Sequence, residues 1–123
     1  MSTILKLSCL SLAILYFSRG AFGECNISSI KLSQSSTGVL VQGKIEYEVT
    51  LSNDCICSQS SLYVSCDGFK TTEPVDPNVF KVEGSRCIIN NGLPVFQDNP
   101  VKFKYAWDHQ FDLRPVQSQV NCS

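Results

Sequence analysis

From Ile45 to Ser52 apolar and polar side chains alternate without a break, with Ile45, Tyr47, Val49 and Leu51 interleaved by Glu46, Glu48, Thr50 and Ser52. A repeat of two is that of a strand with one face buried. The pattern therefore places the apolar set in a core and the two glutamates in water. The same alternation recurs in Ser61–Cys66, where Leu62, Val64 and Cys66 share a face, and in Val101–Trp107, where Lys102 and Lys104 oppose the apolar positions. Shorter strands are predicted at Ser29–Gln34, Val79–Val82, Arg86–Ile89 and Val116–Cys122. Thr37-Gly38, Glu83-Gly84, Asn91-Gly92 and Asp98-Asn99-Pro100 supply turn chemistry between them. Pro74 and Pro77 mark Thr71–Asn78 as a loop, because proline cannot donate to a central ladder. No amphipathic helix of useful length is present. Seven or eight short strands, each with one apolar face, predict an all-β chain folded as a single antiparallel β-sandwich. A closed barrel is the alternative, since strand patterning does not distinguish the two.

The first 23 residues differ in kind. Lys6 precedes an apolar run from Leu7 to Phe17, followed by Ser18-Arg19-Gly20 and the small-residue pattern Ala21-Phe22-Gly23. This is the layout of a secretory signal peptide cleaved after Gly23, and the run is too short for the roughly 20 apolar residues of a membrane span. Residues 24–123 then form one secreted cysteine-rich domain. Cys9 leaves with the leader, so the seven cysteines of the chain become six: Cys25, Cys55, Cys57, Cys66, Cys87 and Cys122. An even set behind an export signal reads as a disulfide framework in an oxidising compartment. Cys55 and Cys57 do not close so small a ring on each other. They therefore clip the end of the Ile45–Ser52 strand to two different segments, which leaves twelve of the fifteen pairings open. Each bridge adds roughly 2–4 kcal/mol to a domain whose size alone leaves it near the margin of stability.

Charge and chemistry narrow the function classes. Residues 24–123 carry eight Lys/Arg against eleven Asp/Glu, a net charge of −3, with no basic block. Nucleic acid and membrane insertion are excluded as partner modes on that basis. Redox motifs usually place two residues between their cysteines, and a zinc site needs four well-spaced ligands; only His109 supplements the cysteines here. His109, Asp108 and Asp112 lack any motif that would gather them around a nucleophile, and Glu46 and Glu48 belong to a solvated strand face. The expectation is a non-enzyme without cofactor or metal.

The aromatic residues are the better candidates for contact. Phe103, Tyr105 and Trp107 share a face, which assigns them to the core; exposed, they would form a platform for sugar rings. Tyr63 lies opposite Leu62 and Val64, so it is a candidate partner contact. Phe69 and Phe80 flank the proline-containing loop and are further candidates. Asn26-Ile27-Ser28 is an N-glycosylation acceptor. Asn121-Cys122-Ser123 also fits, but its central cysteine and terminal position disfavour its use.

Read as one string, the chain runs from Cys25 through Glu46-Tyr47-Glu48-Val49, Asn53 and Cys55 to Leu62-Tyr63-Val64-Ser65-Cys66-Asp67-Gly68-Phe69. It continues through Asp76-Pro77, Cys87, Asn91-Gly92-Leu93-Pro94 and Phe103-Lys104-Tyr105-Ala106-Trp107 to Cys122. This order resembles the plant tapetum-determinant family of small secreted cysteine-rich proteins across residues 24–123. The resemblance implies a paracrine ligand, released into the apoplast, that binds the ectodomain of a leucine-rich-repeat receptor kinase and specifies cell fate in reproductive tissue. Cys25 follows the expected cleavage site at once, and the Cys55/Cys57 spacing is tight; both departures indicate a divergent member. A non-catalytic carbohydrate-binding module of the plant cell wall is the alternative. A defence-type inhibitor is weaker, because the acidic balance lacks the strongly basic surface it would use.

Overall fold

In the computed structural model, which describes residues 24–122, seven strands form two antiparallel sheets. They are β1 (Ile30–Val41), β2 (Lys44–Asn53), β3 (Ser58–Ser65), β4 (Phe80–Glu83), β5 (Arg86–Ile89), β6 (Val101–Trp107) and β7 (Arg114–Asn121). One sheet has the order β1-β2-β6 and the other β4-β5-β3-β7. No ladder joins the sheets, so the sandwich is realised and the barrel is not. Among the described residues, two short 3-10 turns, Ile27–Ser29 and Asn90–Gly92, interrupt the β structure. The expected leader and Cys9 lie outside the described residues.

The core is the period-two pattern made physical. Tyr47, Val49 and Leu51 of β2 and Phe103 and Tyr105 of β6 meet Leu62 and Val64 of β3 and Cys87 and Ile89 of β5. Aromatic rings bridge the gap: Phe80 stacks on Phe103 at 4.3 Å, and Phe69 touches Phe80, Tyr105 and Phe111 at 4.9, 5.2 and 5.2 Å. Tyr105 is fully buried, yet its hydroxyl is satisfied. It donates to Gln34 Oε1 (2.5 Å) and accepts from the Phe111 N–H (2.9 Å), while Gln34 Nε2 donates to the Phe111 carbonyl (2.7 Å). This closed ring clamps β1, β6 and the approach to β7 together, as buried polar groups require.

The cysteines pair Cys25–Cys55, Cys57–Cys122 and Cys66–Cys87. Cys55 and Cys57 thus hold two different segments, the N-terminal and C-terminal ends of the described chain. Between them Asn53 orders the β2–β3 connection. Its Nδ2 donates to the carbonyls of Cys57 (2.8 Å) and Val95 (3.0 Å), and its Oδ1 accepts from the Cys55 N–H (3.0 Å). Gln59, also buried, donates to the Asn26 carbonyl (3.0 Å) and accepts from Ser118 (2.6 Å). One end of the sandwich is therefore stapled by two disulfides and a satisfied polar network.

Three expectations need correction. β1 does not stop at Gln34: it continues through the expected Thr37-Gly38 turn by a bulge between Ser36 and Leu40. The reversal falls instead at Gln42-Gly43, with φ of 52° and 79°, a primed two-residue turn whose twist suits a hairpin. Glu46 was expected in water but is only 7% exposed, while its neighbour Ile45, expected in the core, is 38% exposed. The proline-containing segment folds over the outer face of β2 and β6 and covers Glu46. The opposite sheet stops short of Ile45.

Replacing Tyr105 with Phe leaves the buried Phe111 N–H without its acceptor and the part-buried Gln34 Oε1 without its donor. Such a loss costs about 1–3 kcal/mol. Urea unfolding of Tyr105→Phe is expected to show that loss in midpoint with an unchanged slope.

Candidate functional site

At the end of the sandwich opposite the paired disulfides, the inner face of β1-β2-β6 outruns the sheet that covers it. Leu40 pairs with Ile45 and Ile45 with Trp107, so these side chains form one cross-strand row. One row deeper, Tyr47 and Tyr105 are buried, Tyr105 beneath Phe69 and Phe111. At the outer row Leu40 is 65% exposed, Ile45 is 38% exposed, and Trp107 is half-buried. Val39 adds a further exposed apolar group beside them. Lys44 sits 5.3 Å from the Trp107 ring and pairs with Asp108 at 2.5 Å, which positions the indole edge.

Trp107 also forms one wall of an open cleft of about 540 Å³. Asp67 and Lys70 from the β3–β4 connection and His109, Phe111 and Asp112 from the β6–β7 connection contribute to the other walls. His109 packs at a tilt against Phe111 at 4.7 Å, and Asp112 pairs with Arg114 at 3.0 Å. An apolar row continuous with a cleft through a shared tryptophan, rimmed by charges, has the anatomy of a protein-contact surface. Asp108, His109 and Asp112 point to separate partners and form no relay.

The contact candidates named from sequence fall elsewhere. Phe80 is 3% exposed and offers no surface, while Phe69 is partly buried with its ring packed on Phe80, Tyr105 and Phe111. The segment they flank closes the sandwich, and both rings turn inward to do so. Tyr63 does lie on the outer face, half-buried, but the Arg86 guanidinium covers its ring at 4.1 Å, held there by Gln117 (2.7 Å). Tyr105 is buried and Trp107 only partly exposed, so no flat aromatic platform exists on β6. Asn26 is exposed; its Oδ1 accepts from the backbone N–H and hydroxyl of Ser28, capping the 3-10 turn. Leu40 and Val39 escaped the sequence reading because they follow an apparent turn. The signal was the apolar run Val39-Leu40-Val41 directly after Gly38, which a solvated turn does not carry.

The profile described as "Tapetum determinant 1, C-terminal" matches residues 26–123, all of the stapled domain but its first two residues. The chain belongs to the tapetum determinant 1 family. It is 31% identical over 116 residues to the uncharacterized protein At1g05835 of Arabidopsis thaliana, covering 91% of each chain. It is 26% identical over 92 residues to the TPD1 protein homolog 1B of Oryza sativa subsp. japonica, covering 73% of this chain and 54% of the rice protein. No solved structure matches the chain significantly.

This tapetum determinant 1 family member also carries a carboxyl pair behind the apolar row. Glu46 Oε1 accepts from the Thr37 hydroxyl (2.7 Å), and Glu73 comes up against Glu46 from the docked segment. Glu73 Oε1 is buried with no donor among the described residues. Burial first, then the hydrogen bond with Glu46 and its negative charge, raise the Glu73 pKa. The Thr37 hydroxyl, with Glu73, holds Glu46 low. Two carboxyls in contact favour holding one proton between them, which agrees with both directions.

Glu73 binds its proton more tightly folded than unfolded. Its contribution to stability is therefore complete below the ordinary value of 4.5 and is lost as pH rises through the folded value. Glu46 works oppositely, its contribution being lost as pH falls. Glu73→Gln keeps a donor against Glu46 at every pH. In urea unfolding at about pH 8 the variant is expected to be more stable than the parent, the gap closing toward about pH 4. Parallel pH profiles for the two proteins would show that no proton is shared.

Proposed function

We propose that this family member is a secreted paracrine ligand, without catalytic activity, cofactor or nucleic-acid partner, for the leucine-rich-repeat ectodomain of a receptor kinase. The observation that carries the reading is the exposed Leu40–Ile45–Trp107 row, an extension of the core face left uncovered on a rigid, stapled scaffold. The three disulfides suit an extracellular, apoplastic location, and the apolar leader at residues 1–23 suits export. Among the described residues no helix is long and apolar enough to cross a membrane. Family membership supports a signalling role by resemblance.

An N-linked glycan at Asn26 fits the same reading. Asn26 belongs to the disulfide end, since its carbonyl is held by Gln59. The ten residues of β2 separate that end from the Trp107 row, roughly 30 Å at strand rise. A glycan there leaves the apolar row clear. The carbohydrate-binding alternative is weakened by the burial of Phe103 and Tyr105, which leaves Trp107 as the one ring available on β6.

The test is a binding screen of the disulfide-intact protein against receptor ectodomains. Saturable binding is expected, with Trp107→Ala and Leu40→Asp each weakening it by about tenfold or more, the scale of interface anchors. Ile56→Asp, at an 83% exposed site of the disulfide end, should leave affinity unchanged. Absence of binding to any ectodomain, together with retention on insoluble polysaccharide, would transfer the assignment to the wall-binding alternative.

A further inference from the structure

Three of the four sheet edges carry devices that discourage further pairing. On β6 the segment before Pro74 docks against the edge: Thr72 N–H donates to the Ala106 carbonyl (2.9 Å), and Ala106 N–H donates to Thr71 Oγ1 (3.0 Å). β4 has four residues and bears Lys81 and Glu83. β7 contains Pro115, and its register against β3 shifts twice. Short, charged, bulged or covered edges are how sheets avoid adding strands.

The edge of β1 carries the least of this, its one bulge lying between Ser36 and Leu40, beyond the stretch from Ile30 to Ser36. It runs for 12 residues with no proline and one charge, Lys31. Asp54 N–H donates to the Ser29 carbonyl (2.9 Å), which makes that pair a hydrogen-bonded one. In the observed register, Ile30↔Asn53 and onward to Ser36↔Tyr47, the positions bonded to β2 are then Lys31, Ser33 and Ser35. Leu32, Gln34 and Ser36 turn their N–H and C=O groups away from β2. Among the described residues none of those backbone groups has a hydrogen-bond partner. Meanwhile the Gln34 side chain is turned inward to Tyr105 and Phe111, so it does not obstruct the edge.

We propose that this edge pairs with the same edge of a second copy, antiparallel about a two-fold axis at Gln34. An isologous contact of this kind needs no surface beyond the strand itself. With Gln34 opposite Gln34 of the second copy, Leu32 meets Ser36 and Ser36 meets Leu32. All three unpaired positions of each copy are thereby satisfied, and the two three-stranded sheets become one of six. The charges agree with this register. Lys31 falls opposite Thr37 of the other copy, the residue whose hydroxyl is bonded to Glu46, so the one cation of the strand approaches a buried carboxylate rather than another lysine. Ser33 falls opposite Ser35, two small exposed side chains.

The mass of the disulfide-intact chain, followed by sedimentation equilibrium from low micromolar to several hundred micromolar, tests the proposal. The expected result is a monomer–dimer equilibrium. In the predicted register, the double variant Ser33→Lys with Ser35→Lys sets lysines opposite one another across the axis. It should weaken the dimer by about tenfold or more, since like charges directly opposed destabilise a ladder. Within one copy Ser35 faces Glu48, so the added charge at that position has an opposite neighbour. Gln119→Lys, exposed on β7, adds charge away from the edge and should leave the dimer intact. Amide exchange supplies an independent readout, with protection at Leu32, Gln34 and Ser36 rising with protein concentration. A monomer at every concentration overturns the proposal. A dimer indifferent to the lysine pair, or one weakened equally by Gln119→Lys, does so too.

Discussion

The aromatic cluster between the two sheets sets the geometry of everything else. Phe80 against Phe103 fixes the sheets across the gap, and Phe69 wedges against Phe80, Tyr105 and Phe111. Such ring pairs contribute about 0.5–1.5 kcal/mol each beyond the area they bury. Tyr105 adds direction to that attraction. Its hydroxyl, shared among Gln34 and Phe111, allows one spacing and one register between β1, β6 and the approach to β7. Because Phe69 must turn inward to complete the cluster, the segment that follows it is drawn across the edge of β6. That movement brings Glu73 against Glu46 and leaves β1 as the open edge.

The two ends of the sandwich solve opposite problems. At one end both extremities of the described chain are tied to a single connection through Cys25–Cys55 and Cys57–Cys122, with Asn53 and Gln59 satisfying the buried backbone between them. A domain of this size has little core to spare, and the staples compensate. At the other end the apolar face of β1-β2-β6 runs on past its cover to Leu40, Ile45 and Trp107. Rigidity at the first end makes exposure at the second tolerable: side chains held on a ladder present a fixed apolar surface with little entropy left to lose on contact.

Much of this was legible where local pattern and tertiary environment agree. β5 and β6 have the predicted bounds because each is a short strand-forming run between strong turn signals. Cys55 and Cys57 were bound to serve different segments, since ring strain forbids their union. Legibility failed where an element's surroundings come from distant chain. Glu46 alternates as a solvent-facing residue, and only the docking of Thr71–Glu73 buries it. Phe80 sits next to a proline loop and looks like a recognition residue, yet it fills the space above Phe103. Thr37-Gly38 has turn composition but is absorbed as a bulge, because the hairpin reverses five residues later at Gln42-Gly43.

By itself the sequence determined the β class, the alternation that selects most of each strand's buried face, the stapled character of the domain and its family. The first three follow from period, spacing and composition, which are local properties of the chain, and the family from the order of motifs between Cys25 and Cys122 that resembles it. Which cysteine meets which, which sheet edge is covered, and how far one sheet overhangs the other were decided only in three dimensions. Each depends on contacts between segments dozens of residues apart, and no local repeat encodes such contacts. The exposed row at Leu40, Ile45 and Trp107 is the clearest case: its pattern is that of core residues, and it lies open because the second sheet ends one row short.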